Sequence, residues 1–207
     1  MNQLGDSLEA EGFATSDVTQ LTQYSNIAGI KAVLNGSAKI VPISEDTSRF
    51  ITLNETTIAV NLAAAPKLPF NGAEVEQNVG EGWAILEKRT EGLYVNGEKM
   101  VLYLSKRQKN GKQLKGFELR EELTGKPVLN ASVLDALLAN THLIPEDWKR
   151  DENGNAIYIF FWASIFRGLG GCFCVRCLCF CGVRWYSHYD WLNYGWYGDV
   201  PAALRAS

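Results

Sequence analysis

The residues of this chain whose types and spacing could do chemistry lie near its C-terminus, starting with five cysteines between Cys172 and Cys181. Thiolates bind zinc, and Cys174 and Cys177 have the spacing of a zinc knuckle. A zinc-stabilised module built on Cys174, Cys177, Cys179 and Cys181 is therefore one hypothesis. On a regular strand, however, Cys172 and Cys174 face one side and the other three cysteines face the opposite side. This alternation favours small apolar strand residues, and no metal is predicted.

The clustering of the cysteines also argues against disulfides. Disulfide frameworks close loops between distant parts of a chain, and cysteines this close together close none. Residues two apart on one strand are about 6–7 Å apart along it, which is a poor separation for a bridge. We therefore expect free thiols and a cytoplasmic protein. The first residues show no basic segment followed by an apolar core, so no secretory signal is predicted.

Ser187, His188 and Asp190 carry the three side-chain types of a hydrolase triad. The nucleophile, base and acid of a triad meet through the fold and seldom through adjacency in sequence. Neighbouring strand residues point to opposite faces, so Ser187 and His188 should not meet. The sequence also lacks a phosphate-binding loop, a paired-carboxylate signature and a histidine-rich metal motif. It predicts neither an enzyme nor a bound cofactor.

Seven tryptophans and tyrosines follow within thirteen residues, from Trp185 to Tyr197. One side of a short strand pair cannot bury so many large rings, and exposed aromatic patches usually mark binding sites. We expect Tyr186, Tyr194 and Tyr197 to be solvent-accessible on one face. Tyr and Trp give large contact areas while fixing few rotatable bonds, as in antibody loops. A protein or another macromolecule is the expected ligand.

Two other ligand classes suit stacked rings. A carbohydrate-binding domain could stack sugars on Trp185 or Trp196, and single-stranded nucleic acid stacks its bases on aromatic side chains. Nucleic-acid binding also depends on basic charge, whereas the formal net charge of this chain is −3. The C-terminal part carries only a weak positive balance. The carbohydrate hypothesis stays open, and no nucleic acid is predicted.

The elements that must position these residues are mostly strands. Residues 1–25 form a polar N-terminal segment, residues 26–142 a β-rich scaffold region, and residues 143–207 the part that carries the binding surface. Short alternating or β-branched runs predict strands at 38–43, 50–53, 57–62, 83–88 and 116–122. Asn96-Gly97 predicts a tight hairpin turn between two further strands, because both residues tolerate a positive φ.

One helix is well marked near residues 130–140. Asn130 can cap its N-terminus, and the leucines that follow have helical spacing. Pro145 predicts the start of a second short helix. The C-terminal third is predicted to be a β-meander of strands at 157–167, 172–180 and 184–192. Its longest apolar run, at 156–166, has about half of the roughly 20 residues needed to span a bilayer, so no membrane span is predicted. These patterns indicate a β-rich α+β fold.

The composition after Arg167 is unusual, because every Lys, Glu, Gln and Met of the chain lies before residue 168. Strand propensity depletes some of these types. A second explanation fits as well: apart from Trp, every residue type after Arg167 can be encoded by a codon that ends in a pyrimidine. Adenine-targeted mutagenesis of Asn- and Tyr-type codons leaves this residue set between fixed Trp, Leu, Val and Arg positions.

This pattern resembles the variable proteins of diversity-generating retroelements, which occur in bacteria, archaea and their phages. The resemblance covers residues 143–207 best, with residues 130–148 resembling the helix and loop that precede the variable segment. Its motifs are Ile144-Pro145-Glu146-Asp147-Trp148-Lys149, Phe160-Phe161-Trp162, Val175-Arg176, the spaced Trp185, Trp191 and Trp196, and Pro201-Ala202-Ala203-Leu204. The Gly-Phe-Arg-type ending of the best-known lectin-fold members is missing.

The resemblance implies a C-type-lectin-like fold in which a fixed scaffold displays hypervariable side chains for ligand binding and protein–protein interaction, without catalysis. An oligomer is compatible with it. The five cysteines would be variable positions and not ligands. The fixed frame it implies is Trp162, Arg167, Val175, Arg176, Leu178, Trp185, Trp191, Leu192, Trp196 and Pro201. The ligand-facing variable positions it implies are Tyr186, His188, Asp190, Asn193, Tyr194, Gly195, Tyr197, Gly198, Asp199 and Val200.

Overall fold

The structure is a computed structural model, and it describes Lys31, Asn35 and residues 49–109 and 112–206. The chain divides into two units, Met1–Ile43 and Ser44–Ser207, and the fold reported below belongs to the second unit. The predicted polar segment 1–25 and the predicted strand at 38–43 lie outside the described residues.

The described part of the second unit contains thirteen strands and two α-helices. The N-terminal strands are β1 (Phe50–Thr52), β2 (Thr57–Asn61), β3 (Glu74–Asn78), β4 (Trp83–Arg89), β5 (Gly92–Val95), β6 (Glu98–Tyr103) and β7 (Leu114–Lys115). The helices are α1 (Gly116–Glu122) and α2 (Ala131–Ala139). The C-terminal strands are β8 (Tyr158–Phe160), β9 (Ser164–Arg167), β10 (Phe173–Cys181), β11 (Arg184–Trp191), β12 (Gly195–Trp196) and β13 (Ala202–Arg205). Short 3-10 turns lie at Lys106–Gln108, Thr141–Leu143 and Glu146–Trp148.

Eleven strands form one mixed sheet in the order β1-β2-β4-β5-β6-β13-β8-β10-β9-β3, with β11 paired to β10. Strands β8 and β9 pair with opposite ends of the same edge of β10, while β11 pairs with its other edge. Strand β13 lies between β6 and β8 and runs parallel to β8. Strands β7 and β12 form a separate two-stranded ribbon.

Several sequence predictions are confirmed. The fold is β-rich α+β. The predicted hairpin joins β5 and β6, with φ of 52° at Asn96 and 81° at Gly97. Helix α2 begins after Asn130, whose side-chain oxygen accepts a hydrogen bond from the Val133 N–H at 3.4 Å. The strands from β8 to β11 form the predicted meander, although residues 161–163 interrupt its first strand. Pro145 stands just before the short 3-10 turn.

Other predictions are wrong or incomplete. Residues 116–122, predicted as a strand, form helix α1, because Leu119 and Leu123 are buried at helical i, i+4 spacing and Glu118 accepts a hydrogen bond from the Lys115 N–H at 3.0 Å. Strand β3 was missed because Glu74–Asn78 is polar and largely exposed. Strand β13 is short, and only its position inside the sheet marks it as a strand.

The centre of the sheet, formed by β8 and β10, is buried on both faces. On one face, helix α2 packs Val133, Leu134 and Leu137 against a core that includes Ile159 and Leu178. On the other face, a second core is built from α1, β12 and the alternate residues of β8 and β10. Strand β11 extends beyond these two cores, so its side chains are only partly covered. None of the helices in the described part of the chain is both long and apolar enough to cross a membrane.

Candidate functional site

The pairing of three strands gathers the candidate site on the sheet face opposite to α2. Strand β10 lies between β11 and β8, with Cys179 opposite both Tyr186 and Tyr158. Two residues along, Cys177 lies opposite both His188 and Phe160. Because side chains alternate along a strand, these positions project from the same face. The register alone therefore groups residues that are nearly thirty positions apart in sequence.

A surface cavity of about 670 Å³ opens on this face. We call it the aromatic cavity, because four aromatic rings belong to its lining: Tyr158, Phe160, Tyr186 and Tyr197. The remaining lining residues are Cys179, Cys181, Ser187, His188, Asp190, Gly195, Asp199 and Val200. Strands β8, β10 and β11 form its floor, and the segment after β12 forms one side. The volume lies within the range of roughly 300–1,000 Å³ typical of ligand pockets.

The segment that forms one side of the cavity is held in place through its main chain. The buried amide of Gln108 donates hydrogen bonds to the carbonyl oxygens of Tyr197, at 2.9 Å, and Val200, at 3.4 Å. The N–H of Tyr158 donates to the carbonyl oxygen of Asp199 at 3.0 Å. The side chains of Tyr197 and Asp199 are therefore free to face solvent, and both residues are exposed.

A buried aromatic layer lies beneath the cavity. The Trp196 ring is 1% exposed, and its centroid lies 4.3 Å from that of Phe160 and 4.7 Å from that of Trp162. Leu192 and Val175 complete this packing. Trp196 offers no ring face to a sugar, so the stacking role suggested for it is wrong. Trp185 is half-buried and packs against Phe180 at 5.2 Å.

The opposite face of the same hairpin is held by a buried ion pair. The Arg176 guanidinium lies 2.8 Å from an Asp135 carboxylate oxygen, and both residues are about 3% exposed. Arg176 also donates to the Lys67 carbonyl oxygen at 2.7 Å and to the Ser187 hydroxyl at 3.1 Å. Because the Ser187 hydroxyl is bonded to Arg176, and neighbouring strand residues point to opposite faces, the side chains of Ser187 and His188 in the hypothetical triad do not meet.

The thiols divide between the faces as the alternation predicted. Cys174 packs with Phe166 and Ala131, whereas Cys177 belongs to the core beneath the cavity. The four-cysteine zinc hypothesis is therefore wrong, since Cys174 is turned away from the others. Within the described ranges, no group of three or more His, Cys, Asp or Glu side chains is arranged to hold a metal ion. All five cysteines are free.

Two thiols lie at the cavity wall. The Cys181 thiol donates to the Cys179 sulfur, with 3.8 Å between the sulfur atoms. Hydrogen bonds from Cys177 and then Cys181 lower the pKa of Cys179 to about 7, against the opposing effect of burial. Burial raises the pKa of Cys177 well above its ordinary value. Burial and these neighbouring thiols also raise the pKa of Tyr158, which keeps its hydroxyl protonated near neutral pH.

The predicted ligand-facing residues divide into two groups. Seven of the ten line the aromatic cavity: Tyr186, His188, Asp190, Gly195, Tyr197, Asp199 and Val200. Asn193, Tyr194 and Gly198 are exposed but lie outside its lining. Tyr186, Tyr194 and Tyr197 are 37%, 54% and 50% exposed, so the expected accessibility is confirmed, while the shared face holds only for Tyr186 and Tyr197.

The predicted frame residues are mostly interior. Seven of them are buried: Trp162, Val175, Arg176, Leu178, Leu192, Trp196 and Pro201. Trp185 and Trp191 are half-buried. Arg167 departs from the expectation, because it is exposed and pairs with Glu74 at 2.7 Å on the surface.

Sequence reasoning missed the cavity residues contributed by β8. Tyr158 and Phe160 lie in the apolar run that predicted a buried strand, but nothing in that run marks which residues face a ligand. Their role depends on the register with Cys179 and Cys177. Comparisons with known proteins give no relative: no family model, curated protein or solved structure matches this chain.

Proposed function

We propose that this chain is a non-enzymatic ligand-binding protein whose fixed scaffold displays a diversified, aromatic-rich surface. The observation that carries the proposal is the division of residues along β11 and the segment after it. Positions that the resemblance implies to be variable, such as Tyr186, His188 and Tyr197, line the cavity. Positions implied to be fixed, such as Leu192 and Trp196, are buried beside them. Side chains on the cavity can therefore change while the core stays the same.

The anchoring of the cavity supports this proposal. Gln108 and Tyr158 hold residues 197–200 through carbonyl oxygens, which every residue type supplies. Strand β11 is held by its ladder with β10 and by the Arg176–Asp135 ion pair on the opposite face. None of these contacts requires a particular side chain at Tyr186, His188 or Asp199. A binding surface that tolerates replacement is what diversification needs.

We further propose that the chain is a variable protein of a diversity-generating retroelement, with a C-type-lectin-like domain in residues 143–207 and the scaffold before them. The residue types after Arg167, all of which except Trp can be encoded by a codon that ends in a pyrimidine, support this origin. The neighbouring DNA tests it. We expect a reverse transcriptase gene and a near-copy of the C-terminal coding sequence that differs mainly at adenines. A locus without either would refute the origin and leave the binding proposal standing.

Two display libraries test the binding scaffold itself. The first randomises five cavity positions: Tyr186, His188, Asp190, Tyr197 and Asp199. The second randomises five frame positions: Val175, Leu178, Leu192, Trp196 and Pro201. Resistance to protease measures the folded fraction of each library. We expect most clones of the first library and few of the second to stay folded. An equal loss of folded clones in the two libraries would refute the proposal.

A further inference from the structure

The charges around the aromatic cavity are unevenly distributed. Asp190 and Asp199 belong to its lining, whereas no lysine or arginine does. Neither carboxylate takes part in an ion pair with another described residue. Asp190 accepts one hydrogen bond, from the Trp191 N–H at 2.7 Å. The cavity therefore combines two unpaired carboxylates with four aromatic rings.

Among the described residues, the cations Arg184 and Arg150 lie near Cys181 and outside the lining of the cavity. Lys115 pairs through its main chain with the lining residue Gly195, and its ammonium group donates to the Asn193 carbonyl oxygen at 3.2 Å. The Arg184 guanidinium donates to the Tyr186 hydroxyl, and its central carbon lies 4.4 Å from the centroid of the Tyr186 ring. Arg150 donates to the Gly154 carbonyl oxygen at 2.8 Å. The Arg184 contact shows that an aromatic ring of this cavity accepts a guanidinium group.

From this arrangement, and resting on the proposed binding function, we infer that the aromatic cavity receives an arginine or lysine side chain presented by a protein partner. Aromatic faces attract cations, and carboxylates form charge-assisted hydrogen bonds with guanidinium and ammonium groups. The protonated Tyr158 hydroxyl adds a polar group at the floor. The cavity volume of about 670 Å³ accommodates such a side chain together with part of its main chain.

A protein partner fits the surroundings of the cavity better than a free small cation. Tyr194, outside the cavity, is 54% exposed, and Val183, at the turn between β10 and β11, is 91% exposed. These residues extend the apolar contact area beyond the cavity. Strand β11 also has β10 as its only strand partner among the described residues, and an extended peptide can pair with the edge of a sheet.

The test begins with random seven-residue peptides displayed on phage and selected on the full-length protein. Occupancy of the cavity is read from alkylation of Cys181 by iodoacetamide, followed by mass spectrometry of each cysteine. Cys172 is the internal control, because it is also exposed but lies outside the lining. We expect selected peptides to protect Cys181, to leave Cys172 reactive and to be enriched in Arg or Lys.

Matched variants then test the role of charge. Replacing the selected arginine by the neutral isostere citrulline should weaken binding about tenfold or more, as should the combined Asp190→Asn and Asp199→Asn change. Asn keeps a side-chain oxygen that can accept from the Trp191 N–H, so folding should be unaffected and circular dichroism checks it. Glu55→Gln, an exposed acid on the β1–β2 turn, should leave binding unchanged.

The outcomes separate this inference from the function on which it rests. Peptides that protect Cys181 but carry no cation, or that bind the double Asn variant equally well, overturn the inference and leave the binding function intact. If no selected peptide protects Cys181, the proposed function of the cavity fails and the inference fails with it.

Discussion

Two adjacent residues provide the sharpest test of a fixed core beneath a replaceable surface. Trp196 is 1% exposed and packs against Phe160 and Trp162, with ring centroids 4.3 Å and 4.7 Å away. Tyr197 is 50% exposed and contributes its main-chain carbonyl, not its side chain, to the Gln108 anchor. Substituting each by alanine removes a large aromatic ring from neighbouring positions of the same segment.

The two substitutions should lower the unfolding free energy by very different amounts. Truncating a buried Trp costs about 3–5 kcal/mol of unfolding free energy, through lost burial and the cavity left behind. Truncating an exposed side chain usually changes it by less than about 0.5 kcal/mol. With a urea dependence of about 2 kcal/mol per molar, Trp196→Ala should lower the unfolding midpoint by about 2 M. Tyr197→Ala should leave the midpoint nearly unchanged while weakening binding of any cavity ligand.

The unfolding midpoints of both variants are measured in urea by far-UV circular dichroism. This signal is chosen because it does not depend on the tryptophan that is removed. If Trp196→Ala does not fold, Trp196→Phe serves instead and should show a smaller but measurable loss. Similar losses at positions 196 and 197 would refute the reasoning, because the exposed side chain would then be part of the framework. A stable Trp196→Ala variant would refute it as well.

Two further predictions concern the buried ion pair and the thiols. Asp135→Asn should cost about 3–5 kcal/mol of unfolding free energy, because it leaves Arg176 buried without a counter-charge, whereas the exposed Asp147→Asn should cost little; equal effects in urea unfolding would contradict this. Thiolate absorbance at 240 nm should titrate near pH 7 and lose that step in Cys179→Ser. The pKa of Cys179 is lowered in the folded state, so its contribution to stability is present above the unfolded thiol pKa and is lost as pH falls through about 7. A pH-independent stability difference between Cys179→Ser and wild type would count against the hydrogen bonds assigned to it.

Local signals determined which parts of the fold could be predicted. The Asn96-Gly97 turn and the Asn130 cap depend on the conformation and side chain of one or two residues, and both predictions are confirmed. Helix α1 was missed because the alternation of Phe117 and Leu119 imitates a strand. Its helix-forming Leu, Arg and Glu residues, and Glu118 at the third position, were the signal that could have identified it.

The candidate site was predictable only in part, because some of its residues come together through long-range strand pairing and not through local sequence. Tyr186, His188 and Asp190 alternate along one strand, so a single stretch of sequence assigns them to one face. Tyr158 and Phe160 reach the same cavity through pairing with β10, and that register depends on long-range contacts. The separation of Cys174 from Cys177 needed only alternation, which is why the sequence already argued against a four-cysteine metal site.

The location of the replaceable surface follows from which atoms make the stabilising contacts. Around the cavity, Gln108 and Tyr158 hold residues 197–200 by their carbonyl oxygens, so the exposed side chains of Tyr197 and Asp199 contribute little to the stability of the fold. At Gly116, by contrast, the packing does depend on the residue type. A Cβ added there would lie 2.6 Å from the Leu192 Cα, which the main chain could accommodate only by moving. Mutagenesis confined to the segment after Arg167 could therefore change ligand-facing side chains such as Tyr197 and Asp199 without disturbing the core, provided that it spares the buried positions of that segment, such as Leu192 and Trp196.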